Sequence, residues 1–500
     1  MTTRVKINRL STGVPGLDEV LGGGLPELSF NLIAGQPGSG KTTLAHQLMF
    51  SLATPERPAL YLTVLGEPPL KMLRYQQQFG FFDAAQINRA VQFINLADET
   101  LSGQLDKVLS RIVSEVEAHN PAFVFVDSFR SVMLADAAAG NAHNSLQHFV
   151  QQLGMLMTSW QATTFLIGEY FVETDANPVF TVADGLIWLR QSVERNSMVR
   201  KMEVMKMRGQ ASLPGLHTFR MSSAGIEVFP PAGAAIPAGA LPRSEPPGDR
   251  LLVGVPLLDE MLGGGLPRGY SLLIAGPSGS GKSILAAAFL AAGARCGETG
   301  VLAAFEQRPD RARNPVVADL IKEGRVSLVD ARPSDLSIDE ILRLIMTEIR
   351  RLNASRVVID SLSGFELAIA PTFREDFREE LARLVAALSA TGVTVLMTSE
   401  LEDRYTDLRF SPYGTAFLTD AIIVQRYVEI DSRLRRVMAV VKVRSSMHSN
   451  ELREYIIDDD GLQVGTMVTG QHGLLGGGPL TADGRIRGND APTHPGDPVA

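Results

Sequence analysis

The spacing G-x-x-x-x-G-K-[ST] occurs twice in this sequence of 500 residues: Gly35, Gly40, Lys41 and Thr42, then Gly276, Gly281, Lys282 and Ser283. Each copy follows an apolar run, 29-SFNLIAG-35 or 271-SLLIAG-276, and opens a helix-forming run, so each loop is expected between a strand and a helix. That setting suits phosphate chemistry. Glycines let backbone N–H groups turn inward around phosphate oxygens, and the start of the helix adds its positive dipole end. The lysine neutralises phosphate charge, while the hydroxyl of Thr42 or Ser283 coordinates Mg2+. Expected contacts to ATP are Gly35, Gly38, Ser39, Gly40, Lys41, Thr42 and Thr43 in the first loop. In the second they are Gly276, Gly279, Ser280, Gly281, Lys282 and Ser283.

Two further elements complete such a site. Apolar runs ending in aspartate, 123-FVFVDS-128 and 357-VVIDS-361, place Asp127 and Asp360 at strand ends, where a carboxylate holds the water shell of Mg2+. Hydrolysis also needs a group that orients or deprotonates water beside the γ-phosphate. Glu67 in LTVLGEPP and Glu306 in AAFEQRP, each near the end of the second strand of its copy, are the candidates.

The elements that position these residues repeat. Residues 12–42 align with 253–283 without a gap at an offset of 241, with 20 of 31 positions identical, which marks a duplicated domain. The expected organisation is a domain over 1–229, a Pro/Ala/Gly-rich linker over 230–248, a second domain over 249–468 and a disordered tail over 469–500. Short apolar runs alternate with helical segments, predicting α/β domains with a mostly parallel sheet covered by helices on both faces. The segments 184-DGLIWLR-190, 198-MVRKMEVMKMR-208, 420-DAIIVQRY-427 and 434-LRRVMAVVKVR-444 read as antiparallel strands added at the sheet edge. The net charge of −8, from 55 acidic and 47 basic residues, argues against a protein that coats nucleic acid. The single cysteine, Cys296, excludes an intramolecular disulfide, and no run of about 18 apolar residues predicts a membrane span. A cytoplasmic location is expected.

The block LDE-x-LGGGLP-x(7)-AG-x(4)-GK[ST], present in tandem, and the segment 419-TDAIIVQRYVEIDSRLRRVMAVVKVRSSMH-448 resemble the KaiC family of RecA-type P-loop ATPases over some 460 residues. The resemblance implies two RecA-like domains stacked as hexameric rings, with ATP at subunit interfaces and a protein signalling partner. It implies that a Lys-x-Arg motif reaches the phosphates of the neighbouring subunit, here Lys206 and Arg208 in copy one and Lys442 and Arg444 in copy two. His448 matches a further contact of this kind, replaced by Ser212 in copy one. The resemblance also implies paired glutamates after the second strand; these align with Leu65-Gly66 in copy one and with Glu306-Gln307 in copy two. The family's phosphorylated Ser-Thr pair aligns with Ala416-Phe417, which cannot accept phosphate, so Ser/Thr autokinase activity would fall to nearby Ser411, Thr415 or Thr419.

The leading expectation is an ATP-hydrolysing hexamer that signals its nucleotide state to a partner. A nonhydrolysing nucleotide-gated scaffold is one alternative. A DNA motor is the other, and it should carry basic pore loops; 131-SVMLADAAAGNAHNS-145 has no Lys or Arg, and 364-GFELAIAPTFREDFREE-380 is more acidic than basic.

Overall fold

The computed structural model describes residues 7–64, 69–97, 99, 105–128, 143–170, 178–194, 197–231, 249–305, 314–330, 336–374, 377–401, 418–430, 433–469, 471–472 and 480–481. The chain divides into two compact units, 1–234 and 235–500.

In the first unit the apolar run before the phosphate loop forms the strand Phe30–Gly35, buried throughout. On one side it pairs in parallel with Thr163–Glu169, then Phe123–Asp127, Ala59–Thr63 and Val91–Asn95. On the other side Gly185–Glu194 is also parallel to it, and Ser197–Met207, Leu216–Ser222 and Gly225–Phe229 follow in antiparallel order. The period of two along each strand sorts the sheet into two cores. Ile33, Tyr61 and Phe125 pack with Leu44 and Leu48 of the helix Lys41–Leu52. Leu32, Ala34 and Leu60 face the opposite way, against Val108, Ile112 and Val116 of the helix Leu105–His119.

The second unit repeats this topology. Its nine strands run Val326–Asp330, Gly300–Ala304, Arg356–Asp360, Thr394–Glu400, Ser271–Gly276, Ala421–Ile430, Arg433–Val443, Arg453–Asp458 and Gly461–Met467 across the sheet. The first six are mutually parallel and the last three antiparallel. Both units are therefore RecA-like: mostly parallel sheets, with the phosphate loop at the carboxyl end of a central strand where chain order reverses, the usual place for a ligand in such sheets.

One expectation needs correction. Gly185–Glu194 and Ala421–Ile430 extend the parallel sheet instead of lying antiparallel at its edge, and Ser197–Met207 and Arg433–Val443 are partly covered by a further hairpin. The actual edges are strands absent from the sequence reading: Val91–Asn95 and Gly225–Phe229, and Val326–Asp330 and Gly461–Met467. Within 469–500, Gln471–His472 pairs antiparallel with Leu480–Thr481. Among the described residues no helix is long and apolar enough to cross a membrane.

Candidate functional site

Each phosphate loop ends in a glycine that serves as helix N-cap in the left-handed region, Gly40 at φ 101° and Gly281 at φ 96°. A side chain would be strained there. Neither helix start has a side-chain cap, so the backbone N–H groups of its first turn have no side-chain competitor for an anion. Packing holds the loops close to the next strand. A Cβ on Gly35 would lie 2.2 Å from the Leu189 carbonyl oxygen, and one on Gly276 would lie 2.9 Å from Gln425. Ser39 and Ser280 are fully buried within the loops, and Ser280 Oγ donates to Gln425 Oε1 at 3.0 Å.

Lys41 Nζ donates to the Gln36 carbonyl at 2.8 Å, and Lys282 Nζ to those of Gly276 and Pro277 at 2.9 and 2.7 Å. Burial holds the Lys41 ammonium below its ordinary value, opposed by the carboxylates of Glu169 and Asp127. Thr42 Oγ1 donates to Asp127 Oδ2 at 2.9 Å. Burial raises the Asp127 carboxyl despite the donors Tyr61 and Thr42 and the charge of Lys41. A hydroxyl and a carboxylate side by side at a helix start are hard oxygen donors that suit Mg2+ with nucleotide phosphate, so the residues fit the implied ligands. In the second unit Asp360 accepts from Thr398, on the adjacent strand. The peptide bonds Asp127–Ser128 and Asp360–Ser361 are both cis.

The basic pairs lie elsewhere. Arg208 N donates to Asp184 O, and Asp184 N to Phe30 O, so Arg208 is level with the start of the phosphate-loop strand. Five residues of strand, about 16 Å, separate that level from Gly35. Lys206 Nζ donates to the carbonyls of Phe180 and Thr181, and Arg208 pairs with Asp184 at 3.1 Å. Lys442 and Arg444 repeat this, with Thr419 O at 2.6 Å and Asp420 at 3.3 Å. Burial, then the neighbouring arginine, lowers both lysines, while Asp184 or Asp420 opposes the shift. Within one chain neither pair meets the phosphate loop of its own unit. His448 sits just beyond, its Nδ1 3.3 Å from Ser446 O.

The family model described as the KaiC ATPase matches residues 10–233 and again 251–468. The chain belongs to the KaiC ATPase family. It is 26% identical to a protein of Prochlorococcus marinus (strain MIT 9313) named circadian clock oscillator protein KaiC, over 97% of this chain and 98% of the relative. A protein of the same name from Picosynechococcus sp. (strain ATCC 27264 / PCC 7002 / PR-6) is 27% identical, over 95% and 92%. Membership supports nucleotide binding and ATPase chemistry.

Several expected residues lie outside the described residues: Glu67 with Leu65-Gly66, Glu306 with Gln307, Ser411, Thr415, Ala416-Phe417, residues 131–142 and most of the linker. Of the alternative phosphate acceptors, Thr419 is fully buried. Three features escaped the sequence reading. Glu169 and Glu400 end the strands beside the phosphate-loop strands, paired in register with Gly35 and Gly276. Their signal was readable, since 163-TTFLIGE-169 and 394-TVLMTSE-400 both end in glutamate. Tyr61, whose hydroxyl donates to Asp127 Oδ2 at 2.7 Å, and Thr398 had no such signal.

Proposed function

We propose that this chain binds and hydrolyses Mg-ATP in a homohexameric ring, with each site completed by the neighbouring subunit, and passes its nucleotide state to a protein partner. The observation that carries the reading is the separation of parts. A phosphate loop with its aspartate stands at the carboxyl end of each parallel sheet, and a Lys-x-Arg pair at the opposite end. In a head-to-tail ring, where one surface meets a different surface of the next copy, Lys206 and Arg208, or Lys442 and Arg444 with His448, would face a neighbour's phosphates. There an arginine offsets charge that develops on the transferred phosphoryl group. Bound Mg2+ would supply charge neutralisation at the β- and γ-oxygens, held by Thr42 with Asp127 or by Ser283 with Asp360. Glu67 and Glu306 are assigned the water-orienting role. An autokinase cycle is not part of this reading, because Ala416-Phe417 lack hydroxyls and Thr419 is buried.

Mixing variants tests it. In a Lys282→Ala background, Lys41→Ala and Arg208→Ala chains should each lose turnover at the first site, and should run by native mass spectrometry as six 54.0-kDa chains. Random mixing would restore roughly one interface in four, pairing an intact loop with an intact arginine. Activity recovered on mixing supports the ring. A mixture as silent as its components, or a monomeric chain with full turnover, contradicts it.

A further inference from the structure

In the first unit one carboxylate oxygen, Asp127 Oδ2, accepts two hydroxyls: Thr42 Oγ1 at 2.9 Å and Tyr61 OH at 2.7 Å. Tyr61 comes from the strand Ala59–Thr63, where it lies opposite Phe125, two residues before the Thr63–Asp127 pair and hence on the same face of the sheet. Its side chain is fully buried. The ring is boxed by His46 at 4.6 Å, Phe93 at 5.4 Å and Phe125 at 5.9 Å between centroids. His46 is four residues along the helix from Thr42, on the same helix face. The hydroxyl is thus fixed by packing before any ligand arrives. In the second unit register places Leu302, which has no hydroxyl, at the position of Tyr61. Conversely Thr398, which donates to Asp360 from the strand on the other side, has Ile167 as its counterpart.

We infer that Tyr61 is a positioning residue of the first metal site, holding the Asp127 carboxylate against Thr42 so that Mg2+ affinity at that site, and not at the second, depends on its hydroxyl. The inference rests on the reading that Thr42 and Asp127 face the metal of Mg-ATP. Its physical basis is that a group behind a metal partner sets orientation in advance, and that losing such a group commonly costs 10–100-fold in metal affinity.

The test uses the full chain carrying Lys282→Ala, so that only the first cradle binds, and follows a fluorescent ADP analogue as Mg2+ is titrated. Tyr61→Phe should raise the Mg2+ midpoint by roughly tenfold or more while leaving affinity for the analogue in EDTA unchanged. Adding Ile167→Thr to Tyr61→Phe, which transplants the second unit's anchor, should bring the midpoint back. A midpoint unmoved by Tyr61→Phe overturns the assignment. So does a shift that the double variant fails to reverse, since that would trace the loss to packing. If the chain with Tyr61 intact binds the analogue with no dependence on Mg2+, the metal reading of Thr42 and Asp127 falls, and the role of Tyr61 with it.

Discussion

Behind the first aspartate strand stand His46, Tyr61, Phe93, Phe125 and Phe165; in the second unit the same register holds Ala287, Leu302, Leu328, Val358 and Leu396. One copy is aromatic there and the other aliphatic. The foot of the same strand reverses the contrast. Phe123, fully buried, lies beneath the Arg57 guanidinium at 5.0 Å, and Arg57 pairs with Glu27. Its counterpart is Arg356, also buried, bound to Glu298 at 2.6 Å, while Glu298 pairs with Arg268 at 2.7 Å. The ion pair has changed sign across the duplication, and a third charge has moved into the core. Gly293 makes the room. A Cβ there would lie 2.5 Å from Arg356 Nε, and the residue offset by 241 in the first unit is Leu52. Two copies of one fold thus hold equivalent aspartates through different interiors, so their sites need not share metal affinity or tolerance to substitution.

Removing the buried charge should break this comparison most severely. Arg356 donates to Leu252 O and Phe289 O at 2.8 Å each and stacks on Phe289, so Arg356→Ala removes a donor from two carbonyls and half of the Glu298 network. A loss of about 3 kcal/mol from the second unit is expected, the lower end for broken buried pairs, because Glu298 keeps some solvent and Arg268. Hydrogen exchange of peptides from Lys282–Arg295 and Arg356–Asp360 would report it. Both tryptophans, Trp160 and Trp188, lie in the first unit and should report no change. A loss under about 1 kcal/mol would mean that the cluster is no more than an exposed pair in its effect.

The aromatic interior makes the opposite prediction, in pH. Burial pushes His46 down to about 4, opposed in part by the Gln76 side chain, so the folded state holds it neutral between Tyr61 and Phe93. The unfolded chain takes up a proton below about 6.5. Between those values the unfolded state binds more protons. The contribution of His46 is therefore complete above about pH 6.5 and is lost as pH falls towards 4, by about 3 kcal/mol in all. Denaturant unfolding read by Trp160 and Trp188 should show that His46→Phe gains on the parent over that window. Asp127, beyond Tyr61, titrates in both chains and cancels in the difference. A difference that is the same at pH 7.5 and pH 4.5 would remove the buried neutral imidazole from the account.

The phosphate loops and aspartates were legible because their chemistry is contiguous: glycines, lysine and hydroxyl sit within eight positions, and an apolar run points to its own terminal aspartate. The strands missed were those without a period. Val91–Asn95 buries only Val91 fully, and Leu216–Ser222 mixes His217 and Arg220 with Phe219. Tyr61 lies 66 residues from Asp127, and Thr398 lies 38 from Asp360, so no spacing joins them until strand order is known. The position of Arg208 had the same obstacle. Its residue type suggested phosphate, but only the antiparallel pairing with Gly185–Glu194 shows that it stands at the far end from its own loop.

The smallest effect tests whether the anchors are truly alternatives. Thr398 donates to Asp360 from the strand Thr394–Glu400, and Thr398→Val keeps the shape of that side chain while deleting the donor. Asp360 is less buried than Asp127, so solvent can replace part of the lost bond. A cost near the lower end for a hydrogen bond to a charged group, about 1.5 kcal/mol or roughly tenfold in the Mg2+ midpoint, is expected. It should appear only at the second site, measured with Lys41→Ala silencing the first. If Thr398→Val leaves that midpoint in place while Tyr61→Phe moves the first, the second aspartate does not depend on the hydroxyl behind it and the two copies differ in kind. If both variants move their own site and neither moves the other, each copy has kept one hydroxyl behind its aspartate and taken it from a different neighbouring strand.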